Sequence, residues 1–281
     1  MIDEDSRPDV RVWDVTQGRR LGHLDQPGAP SYLRFSRDGR MLLSTDGEGV
    51  VHLREVATGK ERRRLAGHLA CEVAAVALSD DRRVLASGGY DSQALVWDLT
   101  GRSPDGHWRT GRAGPGQLSG WWEALAGTDA GAAYTAAWGL ASDPDGAAAL
   151  LGKQLRPVAR GDAVRVKALV AGLDHEDFDT RERAEGELAR MGEGIAADLR
   201  AALARTTSAE SRKRLQRLVD AQEQPVPSGK QLQALRAVEA LELIGTKEAR
   251  EVLRRLAEGA PGARVTREAT AALERLDRAH P

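Results

Sequence analysis

The chain has 281 residues, 41% of them apolar, enough for one large domain or two ordinary ones with a real core. Its 41 basic and 42 acidic side chains nearly cancel, so no global field draws it to nucleic acid or to an anionic membrane, and such binding would need a local patch. A single cysteine, Cys71, excludes an intrachain disulfide and a cysteine-cluster metal site, and as a lone thiol near a strand start it reads as a small buried hydrophobe.

The opening MIDEDSRPDV is acidic where a secretory leader needs a basic start and an apolar run, and no stretch approaches the roughly 18 apolar residues of a membrane span. The expectation is a soluble, cytoplasmic chain with no membrane contact.

Up to about residue 101 the apolar residues come in short runs separated by Gly, Asp and Ser, and these runs repeat. Val10–Asp14 followed by Gly18 lines up with Val51–Glu55 followed by Gly59, and again with Ala94–Asp98. Gly22-His23 recurs as Gly67-His68. Residues 36–55 overlay residues 79–98 without a gap, pairing Leu42 with Leu85 and Ser44 with Ser87. Alternation and turn residues divide the best-formed unit into strands at Val73–Leu78, Val84–Ser87 and Ala94–Trp97, with turns at Ser79–Arg82 and Tyr90–Ser92. In the unit before it, Glu61–Leu65 supplies a fourth, outer strand after Thr58-Gly59-Lys60.

Four short antiparallel strands recurring every 40 to 45 or so residues resemble the blade of a WD-repeat β-propeller. In that family a hydrogen-bonded relay of His, Ser or Thr, Asp and Trp pins the blade. Carried over by position, the resemblance implies a structural relay of His68, Ser87, Asp91 and Trp97. The preceding blade keeps His23 and Ser44 but has Glu48 and Arg54 at the Asp and Trp places, which implies a blade without the relay and therefore a looser one. On this reading the repeat explains at least two of His23, His52 and His68 as blade elements, and no carboxylate or cysteine spacing around them resembles a metal-ligand set.

About two blades plus the end of a third are present, fewer than the four to eight of a closed propeller, so open sheet edges need a cover. Further blades in a longer chain, blades from a partner, and the helical half of this chain are the three ways to supply one, and truncation of a longer propeller is the favoured one.

Residues 102–117 are rich in Gly and Pro without a sustained period and read as a linker between a β part at 1–101 and an α part at 118–281. In the α part, Trp121, Trp122 and Leu125 begin an amphipathic helix, and Asp129 caps a second helix whose Ala133, Ala137, Trp138 and Ala141 recur at helical spacing. The paired tryptophans read as packing residues rather than a ligand platform. Ser142-Asp143-Pro144 marks a stop and a new start, Val164–Leu173 is a further helix, and His175-Glu176-Asp177 reads as a helix cap rather than a catalytic cluster.

A second internal repeat follows. Ala184, Leu188, Met191, Gly192, Ala196, Leu199 and Leu203 overlay Ala237, Leu241, Ile244, Gly245, Ala249, Val252 and Leu256, helix–turn–helix units that use one face twice. They resemble HEAT or armadillo units. The Arg-rich runs 212–217 and 250–255 are interleaved with Glu and core Leu and lack stacking aromatics, so they read as solvated helix faces, with no nucleic acid expected.

The fold expected is thus a β + α multidomain chain, a partial WD-repeat β-propeller followed by an all-α helical-repeat domain. As a whole it resembles bacterial WD-repeat proteins that carry an Ala-rich helical extension. The resemblance implies a non-catalytic scaffold for a protein or peptide partner, without catalytic residues, metal or cofactor. Two alternatives are a sensor or targeting segment of an enzyme encoded upstream, for example a kinase, and a nucleic-acid-binding helical repeat.

Overall fold

The computed structural model describes residues 9–15, 18–25, 30–69, 72–101, 108–223 and 229–279. Nine strands precede the helices among them. Strands β1 (Asp9–Asp14) and β2 (Arg19–Asp25) form a two-stranded sheet; β3 (Tyr32–Phe35), β4 (Met41–Thr45), β5 (Val50–Glu55) and β6 (Glu61–Ala66) form a four-stranded one; β7 (Val73–Leu78), β8 (Val84–Gly89) and β9 (Ala94–Asp98) form a three-stranded one. Each is an antiparallel meander in chain order, as turns of a few residues require.

The overlay of residues 36–55 on 79–98 extends to the backbone. Gly39 and Gly49 turn with φ of 71° and 84°, and their counterparts Arg82 and Ser92 take the same left-handed conformation at 61° and 60° although both carry a Cβ. The hairpin loops share their chemistry too. Met41 N donates to Ser36 Oγ at 2.9 Å and Val84 N to Ser79 Oγ at 3.0 Å. The strained Arg82 is held by a short ion pair to Asp38 on the preceding sheet. Burial would raise the Asp38 carboxyl, but the charges of Arg82 and Arg40 and the Ser36 hydroxyl hold it well below the usual carboxylate range.

The second and third sheets pack on each other. Tyr32 Oη donates to Val76 O at 2.9 Å, and Arg63 Nη2 donates to Asp98 O at 3.3 Å. The side of the second sheet that carries Tyr32 and Arg63 also carries Met41, Leu43, Val51 and Leu53, none more than 1% exposed.

The helices are α1 (Gln117–Ala126), α2 (Ala130–Ser142), α3 (Pro144–Gln154), α4 (Ala163–Gly172), α5 (Phe178–Met191), α6 (Ala196–Arg205), α7 (Ala209–Gln222), α8 (Gly229–Ile244), α9 (Lys247–Ala257) and α10 (Arg264–Ala279). Their starts follow local capping chemistry. Asp129 accepts from Gly131 N and Ala132 N, Asp162 from Val164 N and Arg165 N, Asp177 from Thr180 N, and Thr246 from Ala249 N.

Two compact units result: Met1–Gly146 with Pro225–Arg236, and Ala147–Gln224 with Ala237–Pro281. In the first unit α1 and α2 belong with the sheets, so the switch from strand to helix is not where the compact units part. α2 packs on the outer strand β6; Gly131 lets its first turn approach the Arg62 carbonyl, where a Cβ would lie 3.2 Å away, and the Arg62 guanidinium stacks 5.4 Å from the Tyr134 ring centre. Trp121 lies flat on α2 over Gly139, whose added Cβ would fall 2.5 Å from the indole, so this tryptophan is a packing residue.

In the second unit Val166, Leu173, Leu188, Ile195, Leu199 and Leu215 form a buried core between α4 and α7. The two overlaid helix pairs are α5–α6 and α8–α9, and they differ at the turn. A 3-10 turn, Gly192–Ile195, joins the first pair, whereas Gly245, at φ 66°, and the Thr246 cap join the second. The Arg-rich runs need correction as plain solvated faces. Arg212 and Arg217 are exposed, but Arg214 is only 3% exposed and binds Glu182, Glu185 and Glu210; Arg250 pairs with Asp277, and Arg255 donates to the Gly152 carbonyl at 2.6 Å.

Candidate interaction surface

The third sheet and its turns bring His68, Ser87, Asp91 and Trp97 together. Trp97 Nε1 lies 2.9 Å from Ser87 Oγ, Ser87 Oγ 2.8 Å from His68 Nε2, and His68 Nδ1 3.0 Å from Asp91 Oδ2. An indole N–H only donates and a carboxylate only accepts, so one proton arrangement satisfies all four groups. Trp97 donates to Ser87, Ser87 donates to Nε2, and the Nδ1–H of a neutral imidazole donates to Asp91. Asp91 also accepts from Leu69 N and Gln93 N, which fixes the β8–β9 turn to the segment before β7. Burial would raise its carboxyl, yet these backbone donors and His68 bring it below the usual value.

The order Asp, His, Ser is also that of a hydrolytic triad, but the chemistry differs. Ser87 is 3% exposed and His68 7%, and the Ser87 oxygen is already occupied by the Trp97 N–H. A buried hydroxyl with an engaged lone pair offers no path for attack on a carbonyl.

The second sheet is pinned differently. Ser44 Oγ is fully buried and has no hydrogen-bond partner among the described residues, since Arg54 stands at the Trp place. Opposite Ser44 on β5, His52 directs Nε2 to Asp46 Oδ2 at 3.0 Å and Nδ1 to Glu61 Oε2 at 2.6 Å, and Arg54 lies 3.7 Å from the same Glu61 oxygen. Asp46, not Glu48, closes the β4–β5 turn by accepting from Glu48 N and Val50 N. Burial pushes the Asp46 carboxyl up, and the hydrogen bonds from His52 and the two amides outweigh it. The sheet expected to be looser is therefore tied by another set, and every residue of β4 and β5 is buried. The side chain of His23 lies outside the described residues, as does Cys71.

The first unit holds a further polar cluster that sequence reasoning missed. Glu55, at the end of β5, accepts from Arg62 Nη2 at 2.8 Å, from Arg236 Nε and Nη2 at 2.9 and 2.7 Å, and from Thr58 Oγ1 at 2.6 Å. Arg236 Nη1 also donates to the carbonyls of Leu125 and Gly127 at the end of α1. The two side chains are 2% and 4% exposed. Burial would raise the Glu55 carboxyl, but the Arg236 hydrogen bonds and the charges of Arg62 and Arg236 bring it down to about 2. The signal in the sequence is an arginine at the i, i+4 position between Leu232 and Ala240, both buried.

Several of the residues left outward on the sheets are apolar, beside the exposed Arg11, Arg34 and Arg64. Trp13, Leu33, Phe35, Val84 and Val96 are all 40% exposed or more. Among the described residues no three His, Cys, Asp or Glu side chains are grouped to hold a metal ion, and no helix is long and apolar enough to cross a membrane.

Residues 59–98 match the family model described as WD domain, G-beta repeat. The chain is 27% identical over 95 residues to Cilia- and flagella-associated protein 52 of Sus scrofa, covering 34% of this chain and 15% of that protein. It is 37% identical over 90 residues to WD repeat-containing protein 1-A of Xenopus laevis, covering 30% and 15%. It is 32% identical over 104 residues to Protein FIZZY-RELATED 3 of Arabidopsis thaliana, covering 35% and 20%. The chain carries a WD repeat, and its matches span between 15% and 20% of the length of these relatives.

Proposed function

We propose that the chain is a non-catalytic protein-interaction scaffold, in which part of a β-propeller and a HEAT- or armadillo-like helical extension present rigid surfaces to a protein or peptide. The observation that carries this reading is the state of the WD repeat. Its reactive side chains are spent on one another inside the sheet, while Val84, Ala86, Ala94 and Val96 give its outer face an exposed apolar patch. His68, Ser87, Asp91 and Trp97 act in it as a structural relay that fixes the turns bearing that surface.

The helical half fits the same role. Arg214, Arg250 and Arg255 are engaged by acceptors of the chain itself, and the exposed Arg217 and Arg254 lie beside Glu185 and Glu251, which weakens the basic runs as a phosphate-binding face. We place the chain in the cytoplasm and its remaining propeller blades in a longer chain or a partner.

Affinity capture of the full chain from its native cell, followed by reconstitution with the purified captured protein, tests the proposal. A stoichiometric complex of defined affinity is the expected result. Capture of nucleic acid with no protein, together with a salt-dependent gel shift, would overturn it in favour of a nucleic-acid-binding repeat.

A further inference from the structure

The packing of the second sheet on the third uses two kinds of face, and the chain exposes further surface of both kinds. On the second sheet the covered face carries Met41, Leu43, Val51 and Leu53. Their overlaid counterparts on the third sheet are Val84, Ala86, Ala94 and Val96, all exposed, with Val84 at 40% and Val96 at 75%. This face repeats a buried surface without its cover, and it includes the edge strand β9.

The opposite kind of face carries Leu85, Ser87 and Trp97 on the third sheet. Leu85 is fully buried, and Trp97 and Leu95 lie against Gly67, just past β6 of the second sheet, where an added Cβ would meet the indole at 2.6 Å. Its counterpart on the first sheet is the Trp13 face of β1, where Trp13 is 54% exposed and Val15, just past the strand, 90%. The chain therefore displays both halves of a contact that it already makes internally.

From this pairing we propose that the Trp13 face of one copy seats on the Val84–Val96 face of a second copy, a head-to-tail self-association that repeats the internal packing of sheet on sheet. It rests on the reading of the sheets as interaction surfaces, and it names their occupant. The contact is heterologous, because the two faces differ, so each copy offers one of each kind.

Sedimentation of the purified full chain over a concentration series reads the outcome. The wild-type chain sediments above its monomer mass of 30.3 kDa as concentration rises. Val96→Glu and Trp13→Glu each abolish this, because either charge would be buried unpaired in the contact. Both side chains are exposed in the monomer, so circular dichroism melts of the variants stay those of the wild type. An equimolar mixture of the two variants forms a dimer and nothing larger, since one intact face of each kind remains. Wild-type chain that stays monomeric, association indifferent to both substitutions, or a mixture that stays monomeric overturns the proposal. A monomeric chain that still forms a stoichiometric complex with a captured protein overturns the self-association alone and leaves the scaffold function standing.

Discussion

Arg236 and Glu55, 181 residues apart in sequence, share two hydrogen bonds of 2.9 and 2.7 Å in a place where neither side chain is more than 4% exposed. Through the third guanidinium nitrogen the same arginine reaches the end of α1, so one side chain ties the end of β5 to the end of that helix. Removing it strands a carboxylate that has only Arg62 and Thr58 left, together with two carbonyls. Arg236→Ala should cost about 3 to 5 kcal/mol in urea unfolding. Arg236→Lys should recover little, because an ammonium cannot replace a planar fork that makes four contacts. The double replacement Glu55→Leu with Arg236→Met should cost far less than the sum of the singles, since it removes both charges together.

The same carboxylate gives the fold an acid limit. Glu55 titrates at about 2 when folded, against 4.5 for an unperturbed glutamate, so the unfolded chain takes up the proton first as pH falls. Its contribution, on the order of 3 kcal/mol, is complete above about pH 4.5 and is lost as pH falls towards about 2. Asp38, also held low by its arginines, adds to this in the same direction. Unfolding free energy measured from pH 7 down to pH 3 should fall less steeply for Glu55→Gln than for the wild type. Parallel curves would show that folding does not lower the Glu55 pKa.

The relay can be tested without replacing any of its members. A Cβ on Gly89 would lie 2.8 Å from His68 Nδ1 and 3.0 Å from an Asp91 oxygen, inside the bond those two share. Gly89→Ala should therefore force His68 and Asp91 apart and destabilise the third sheet by about 1 to 3 kcal/mol. Ser87→Ala should have a similar cost, because it leaves both the Trp97 donor and the His68 acceptor without a partner. Trp97 fluorescence should shift in both variants. Unchanged thermal unfolding in both would show that the four side chains do not act as a unit.

These cases show which features reached the surface of the sequence. His68, Ser87, Asp91 and Trp97 stand out because they belong to a unit that is repeated, so each is placed by comparison with a copy. The strands and helix caps stand out because their causes lie within a few residues. The His52 set does not, because overlaying the two units makes Glu48 the counterpart of Asp91, while the turn is closed by Asp46, two residues earlier. Arg236 was hidden by distance. Nothing near it in sequence names Glu55 as its partner, and only its place on an otherwise apolar stripe marks it. Arg214 was hidden by its company, one buried arginine in a run whose neighbours face solvent.

That run gives the last test, in the second unit. Arg214 on α7 binds Glu182 and Glu185 on α5 and Glu210 one turn away on its own helix. The hydrogen bond it donates to Glu182 leads the causes that raise its guanidinium further above its ordinary value, so the side chain stays charged at any working pH. Arg214→Ala leaves Glu182 and Glu185 without their shared cation beside the core of α5 and α7. Glu182 and Glu210 are about half exposed, so water screens part of the loss, and the cost should be about 1 to 3 kcal/mol rather than that of a fully buried pair. Arg165–Glu187 is the internal control, a pair of comparable length on an open surface, where Arg165→Ala should leave stability nearly unchanged because water screens the pair. Equal effects of the two substitutions in urea unfolding would show that Arg214 is one more surface charge and that the apolar core alone holds α5 to α7.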